Sequence, residues 1–383
     1  MDGAFRLVLV LLIATVALPV RCFAQAAANS LPPSLATFEV QPGSLAASSS
    51  DGQIVTLDVQ QRRIAVWDDD GSRRADFALP AALANVRPSL LVARPGQALV
   101  GVADSAGGLK YALVDLRSHE VTAEFGAGLP PAKVFAGVEG WVVEPVSPGE
   151  APRLLEYNQH GKLVRESGAP QGVVERAAQE LGRPEAASLR IAAPGGRLWA
   201  VPAGMYELWL LPGTPTRFQV PECLRVKGNE VTGDAGRRKF LQMIERGDKA
   251  ARRQIESTVA DALGTSRPFH GFFAAVVTVV SRGEALGVLL DAHPEELSGG
   301  CRLDVWQVSD QSLSAVVPIP GVCPSVVALG TGGAWVLQAG HFTWLSFSGH
   351  ESAAALGCPA SQVPTLKPAD ASPHIPDSHA SRP

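Results

Sequence analysis

The sequence predicts an all-β fold, a six-bladed β-propeller closed by its own N-terminal strand, with helical insertions on one face. Three observations predict it. An apolar run, a tight turn with glycine and an alternating strand recur six times at a spacing near 44 residues. Each copy has room for four short strands, the size of one blade. The fourth strand missing from the last copy is present ahead of the first.

From the start of the chain, Arg6 precedes an unbroken apolar run from Leu7 to Val20, and Ala24-Gln25-Ala26 follows with small residues. This is the pattern of a secretory signal peptide over residues 1–26, cleaved after Ala26. The apolar run is well short of the roughly 20 residues a bilayer-spanning helix needs, so no membrane span is expected after cleavage. A retained anchor is the alternative. A lipidated Cys22 is disfavoured because Arg21, rather than a small residue, stands before it.

The propeller is expected over residues 27–349. Its second strands are read at 53–58, 98–103, 141–146, 197–202, 285–290 and 334–339, each behind a turn glycine: Gly52, Gly96, Gly140, Gly196, Gly283 and Gly333. Glycine suits these places because tight hairpin turns often require φ > 0. Third strands rich in aromatic and β-branched residues follow, as at 63–67, 111–114, 206–210, 303–306 and 342–347. Fourth strands end near proline, as at 77–80, 218–221 and 316–320. Residues 36–40, Ala-Thr-Phe-Glu-Val, supply the strand that the last copy lacks, which closes the ring and removes two open sheet edges.

Asp51-Gly-Gln-Ile-Val-Thr-Leu-Asp58 with Arg63-Ile-Ala-Val-Trp-Asp-Asp-Asp-Gly71 resembles the repeat of NHL-type six-bladed propellers. The resemblance implies the architecture and no particular activity.

Successive turn glycines are 44, 44, 56, 87 and 50 residues apart, so the excess falls after blades three and four and within blade five. The first insertion, about 169–187, carries Val173, Val174, Ala177, Ala178 and Leu181 at helical spacing over 171–181. The second, about 223–268, carries Phe240, Met243 and Ile244, then Ile255, Val259 and Leu263, with a break at Gly247-Asp248. The third lies between Asp291 and Gly300. Fourth-to-first links and second-to-third loops leave a blade on one side, so all three insertions project from one face and predict a helical cap there. That face is the expected functional one.

The formal net charge of −4, with both signs scattered, excludes a polyanion-binding surface as the main design. Arg237, Arg238, Lys239, Arg246, Lys249, Arg252 and Arg253 make the second insertion basic, but no aromatics interleave them, so nucleic acid is not an expected partner. Four cysteines outlast signal cleavage: Cys223, Cys301, Cys323 and Cys358. Their even number and the absence of any C-x-x-C favour disulfides over a thiolate metal site. Cys301 and Cys323 flank one predicted hairpin and form the preferred pair, leaving Cys223 with Cys358, although three connectivities are open. Beyond about residue 350 the chain is rich in proline and serine and reads as a flexible tail, 350–383, tied down only near Cys358.

No G-x-S-x-G, P-loop or H-E-x-x-H occurs. Gly330-Thr-Gly-Gly333 is read as a blade turn. The compact set of potential metal ligands is Asp291, His293 and Glu295, with His270 able to approach; a divalent ion is the one cofactor this set would admit, and none is otherwise expected. Gluconolactonase-like lactonases, also six-bladed, hold a hard cation with carboxylates and amides from their inner strands. Here the inner strands, read at 44–48, 89–93, 133–136, 188–192, 273–277 and 325–329, contain no Asp, Glu or Asn. Arg190 and Lys133 would instead make the channel mildly attractive to anions, with Lys133 pointing to solvent as the alternative. The expectation is a secreted, periplasmic or extracellular protein of a bacterium that binds a protein or glycan through its capped face without catalysis. A cap-covered hydrolase or lyase and a structural module of an envelope assembly are the alternatives.

Overall fold

The computed structural model describes residues 37–41, 43–103, 109–129, 132–145, 152–181, 187–211, 215–226, 228–232, 270–273, 275–291, 300–321, 323–338, 340–347, 358 and 367–368. The first strand, β1 (Thr37–Glu39), belongs to the last blade. Blade one is β2 (Leu45–Ser48), β3 (Ile54–Asp58), β4 (Arg63–Trp67) and β5 (Arg73–Ala78). Blade two is β6 (Pro88–Arg94), β7 (Gln97–Ala103), β8 (Leu109–Asp115) and β9 (Val121–Leu129). Blade three is β10 (Ala132–Ala136), β11 (Gly140–Pro145), β12 (Arg153–Asn158) and β13 (Leu163–Gly168), followed by helix α1 (Gln171–Leu181). Blade four is β14 (Leu189–Ala192), β15 (Leu198–Pro202), β16 (Leu208–Leu211) and β17 (Thr216–Gln219). A separate pair, β18 (Asn229–Thr232) and β19 (His270–Phe273), precedes blade five, which is β20 (Val276–Arg282), β21 (Ala285–Asp291), β22 (Cys301–Gln307) and β23 (Ser312–Ile319). Blade six is β24 (Val326–Gly330), β25 (Gly333–Gln338) and β26 (His341–Ser346), and β27 (Lys367–Pro368) lies near the end of the chain.

Every blade is an antiparallel meander, and the first strands of successive blades neighbour one another around a closed ring. The protein is a six-bladed β-propeller. Blade six is completed by β1, which pairs with β26 in the register Thr37↔Thr343, Phe38↔Phe342 and Glu39↔His341. The N-terminal segment therefore supplies the strand that the sequence lacks at its other end.

Both faces of a blade are covered by its neighbours, which is why the second strands, read as alternating, are in fact buried at almost every position. In β3, Val55 and Leu57 pack toward blade two while Ile54 packs against Trp335 and Phe342 of blade six. In blade two, Ala98 and Val100 face blade one, and Leu99, Tyr111 and Leu113 face blade three. Trp141, Trp199, Trp306 and Trp335 are fully buried, one in each of blades three to six. Outermost strands are half wet: β5 alternates exposed and covered positions down to buried Phe77.

Three expectations are corrected in detail. The inner strand of blade five begins at Val276, and Phe273 belongs instead to β19, because the second insertion is carried on a two-stranded stem. In blade six the residue with positive φ is Gly332, at +74°, rather than Gly333; glycine at 333 is needed because a Cβ there would lie 2.3 Å from the Trp344 ring. Gly140 likewise has no positive φ, and a Cβ on it would strike the Tyr157 carbonyl. The segment beyond 350, read as a flexible tail tied down only near Cys358, is bonded there to Cys223 and has a second attachment: β27 adds a fifth strand to blade four, Gln219↔Lys367 and Phe218↔Pro368.

Candidate functional site

The inner strands enclose a channel cavity of about 220 Å³, lined by small and apolar residues such as Ala46, Ala93, Phe135, Ala192 and Val279 with hydroxyls from Ser48 and Thr278. The two cations read as channel charges are drawn into contacts between blades. Lys133 lies opposite Glu144 in the β10–β11 register, and both reach blade four. There the Lys133 ammonium donates to Ser188 Oγ, Ser188 Oγ donates to Glu144 Oε1 at 2.8 Å, and the Leu189 amide donates to Glu144 Oε2 at 3.2 Å. Burial, then the neighbouring Arg190 charge, pulls the Lys133 pKa down, with buried Glu144 opposing. Arg190 Nε donates to the Val277 carbonyl of blade five at 3.0 Å, and burial lowers its pKa too. A charged chain thus joins blades three, four and five at the end of the channel from which the insertions depart.

On that face α1 forms over 171–181, the span its apolar spacing predicts. Val173 and Ala177, one turn apart, are fully buried against Leu154, Trp209 and Leu211. Its polar side carries Arg176, which pairs with Glu180 one turn on and reaches Glu207 of blade four at 2.6 Å. Between helix and blade lies a pocket of about 280 Å³ lined by Arg176, Glu180, Met205, Tyr206, Glu207 and Arg225, two cations against two carboxylates.

Beneath it is a buried polar network that the sequence reading missed. Arg302 grips Asp304 with two hydrogen bonds, 2.8 and 2.9 Å, and donates a third at 2.6 Å to the Leu224 carbonyl. Trp306 Nε1 donates to the Tyr206 hydroxyl at 2.6 Å. Burial pushes the Asp304 carboxyl up against the pull of Arg302, and pushes the Tyr206 phenol well up. Buried charges persist where they are paired and fully hydrogen-bonded. A signal was present: Arg302, Asp304 and Trp306 alternate with Leu303 and Val305, so two opposite charges share one face of a buried strand.

The second insertion leaves and returns on its stem, in which Asn229 pairs with Phe273 and Thr232 with His270. Its predicted helices at 237–263 and its basic run lie outside the described residues. Both disulfides clamp this region: Cys223 with Cys358, Cα atoms 5.3 Å apart, and Cys301 with Cys323, 5.2 Å apart. Buried Cys358 packs in the core shared by blades four and five. Of the metal-ligand set, Asp291 ends β21 opposite Cys301, and its amide donates to the Ala275 carbonyl at 2.9 Å. His293 and Glu295 lie outside the described residues. Among the described residues no cluster of three His, Cys, Asp or Glu side chains is placed to hold a metal, and no helix is long and apolar enough to cross a membrane.

No protein-family model and no curated protein matches the chain. The chain resembles solved structures at low identity. A streptogramin B lyase structure is 11% identical, with 82% of this chain and 98% of that one covered and a TM-score of 0.41. The β-propeller domain of the Trilobed protease from Pyrococcus furiosus is 8% identical, covers 82% and 97%, and has a TM-score of 0.36. A protein of unknown function from Bacteroides caccae is 13% identical, covers 83% and 89%, and has a TM-score of 0.34.

Proposed function

We propose that this propeller is a secreted binding protein that engages a protein or glycan outside the cytoplasm through its insertion face, without catalysing a reaction on it. One observation carries the reading: among the described residues, the bases of the insertions depart from a single face, and the fold anchors them there. Helix α1 is sewn to blades three and four by buried Val173 and Ala177, the β18–β19 stem presents residues 233–269, and both disulfides secure the same side. A rigid scaffold bearing elaborated loops on one face is the common arrangement of a recognition surface. Export accords with the signal-peptide pattern and with two disulfides, which persist in oxidising compartments.

The stem supplies a clean test. Because Thr232 and His270 are paired, residues 233–269 can be replaced by a short turn without reopening the ring. The full chain and this deletion variant, matched in melting temperature, would be crosslinked to partners in envelope and culture-fluid fractions. A partner held by the full chain and lost from the variant is the expected result. An unchanged partner set would overturn the assignment to this face.

A further inference from the structure

On the opposite face, where first-to-second and third-to-fourth turns lie, blades five and one meet beside blade six. Blade five is joined to blade one there: the Gly283 amide donates to the Ser50 carbonyl of blade one at 3.4 Å, and Arg282 donates to Asp69 Oδ2 of blade one at 2.6 Å. The Asp69 carbonyl in turn accepts from Trp335 Nε1 at 2.8 Å. Beside this bridge the glycine-rich turn at 330–333 packs tightly on Trp344: a Cβ on Gly330 or Gly333 would enter the Trp344 ring. The result is a cleft of about 700 Å³ between blades five and six, within the range of small-molecule sites.

We infer that this cleft binds a neutral saccharide. Its walls alternate polar and apolar chemistry: Asp51, Arg282, Gln307 and Thr331 around Leu329 and Phe347. The Arg282 charge is already met by Asp69, so the cleft does not present a bare cation that would select an anion. Asp51 takes hydrogen bonds on Oδ1 from Ser49 and from the Gln53 amide, leaving Oδ2 as an acceptor. The Gln307 amide has no side-chain partner among the described residues and offers a donor and an acceptor side by side. A carboxylate and a planar amide match the paired hydroxyls of a sugar ring, while Phe347 and Leu329 suit its C–H face. This site is separate from the insertion-face reading and stands or falls apart from it.

The test is an array of neutral glycans probed with the purified full chain, followed by calorimetry with the best-bound glycan. Saturable binding is expected, weakened about three- to tenfold by Gln307→Ala and abolished by Thr331→Trp, which fills the cleft from an exposed turn. Both variants should melt with the parent, and deletion of 233–269 should leave glycan binding intact. Absence of binding to any neutral glycan, or binding that both variants retain, would overturn the proposal. So would loss on deleting 233–269, or capture of charged peptides with no neutral glycan bound.

Discussion

Phe38 stacks on Trp67 with ring centroids 4.3 Å apart, so the strand that completes blade six is also bonded by contact to blade one. The same ring stacks on Phe342 at 4.7 Å and leans on Trp335 at 5.3 Å. One side chain therefore joins the first described strand to both blades at the closure.

Phe38→Ala should lower stability by about 2–3 kcal/mol, the scale of one large apolar side chain with its ring contacts. Urea denaturation of parent and variant would measure this. A loss within 0.5 kcal/mol, the usual range for surface substitutions, would show that the ring closes without this contact.

The two disulfides should contribute unequally. Cys223–Cys358 closes 135 residues and Cys301–Cys323 closes 22. Loop-entropy arithmetic gives about 5 and about 3 kcal/mol respectively. Paired Cys→Ser variants, unfolded in denaturant, should show the larger loss for the 223–358 pair; the reverse order would place the main contribution in the native hairpin instead.

Tyr111 is wholly buried, and its hydroxyl has no partner among the described residues. Burial raises its pKa from 10.0 to about 12. A phenol raised on folding contributes fully below its unfolded pKa, and that contribution is lost as pH climbs from 10 toward 12, because the unfolded chain gives up the proton first. Tyr111→Phe should match or exceed the parent by about 1 kcal/mol at neutral pH, since it removes an unsatisfied group. It should also flatten the alkaline fall seen in pH-dependent melts. An unchanged alkaline slope would assign that fall to other groups.

Gly333→Ala should cost about 1–3 kcal/mol, because its Cβ would enter the Trp344 ring in a close-packed site. Pairing it with Trp344→Phe, which trims the obstructing ring, should recover part of that loss in thermal melts. No recovery would point to backbone strain rather than the ring.

The architecture was legible in the sequence because burying both faces of each blade forces a periodic apolar pattern, and because the orphan strand at 36–40 had one place to go. The α1 span was legible for a similar reason: Val173 and Ala177 mark one face of a helix. Phe273 was misplaced because an apolar stretch does not reveal whether it pairs within a blade or with a stem partner 44 residues earlier. Charged residues were harder. Arg190 was read as facing the channel and Lys133 the channel or solvent, but both point toward neighbouring blades, where the Val277 carbonyl and Ser188 meet them. The cleft between blades five and six gave no warning, since its lining comes from segments far apart in the chain, Ser50–Asp51, Arg282–Ser314 and Leu329–Phe347, and not from any local motif.

The Cys223–Cys358 bond has a mechanical meaning. It encloses all of blade five and the three chain-consecutive strands of blade six in one covalent loop, while β1 is held by hydrogen bonds and ring contacts alone. Pulled by its two ends, the chain would peel from the N-terminal side, but the segment between 223 and 358 could not pay out under tension. That segment would extend roughly 450 Å if released. The bond is therefore a latch on length as well as a source of stability, and a reducing environment would release it and turn a stiff anchor into a long tether.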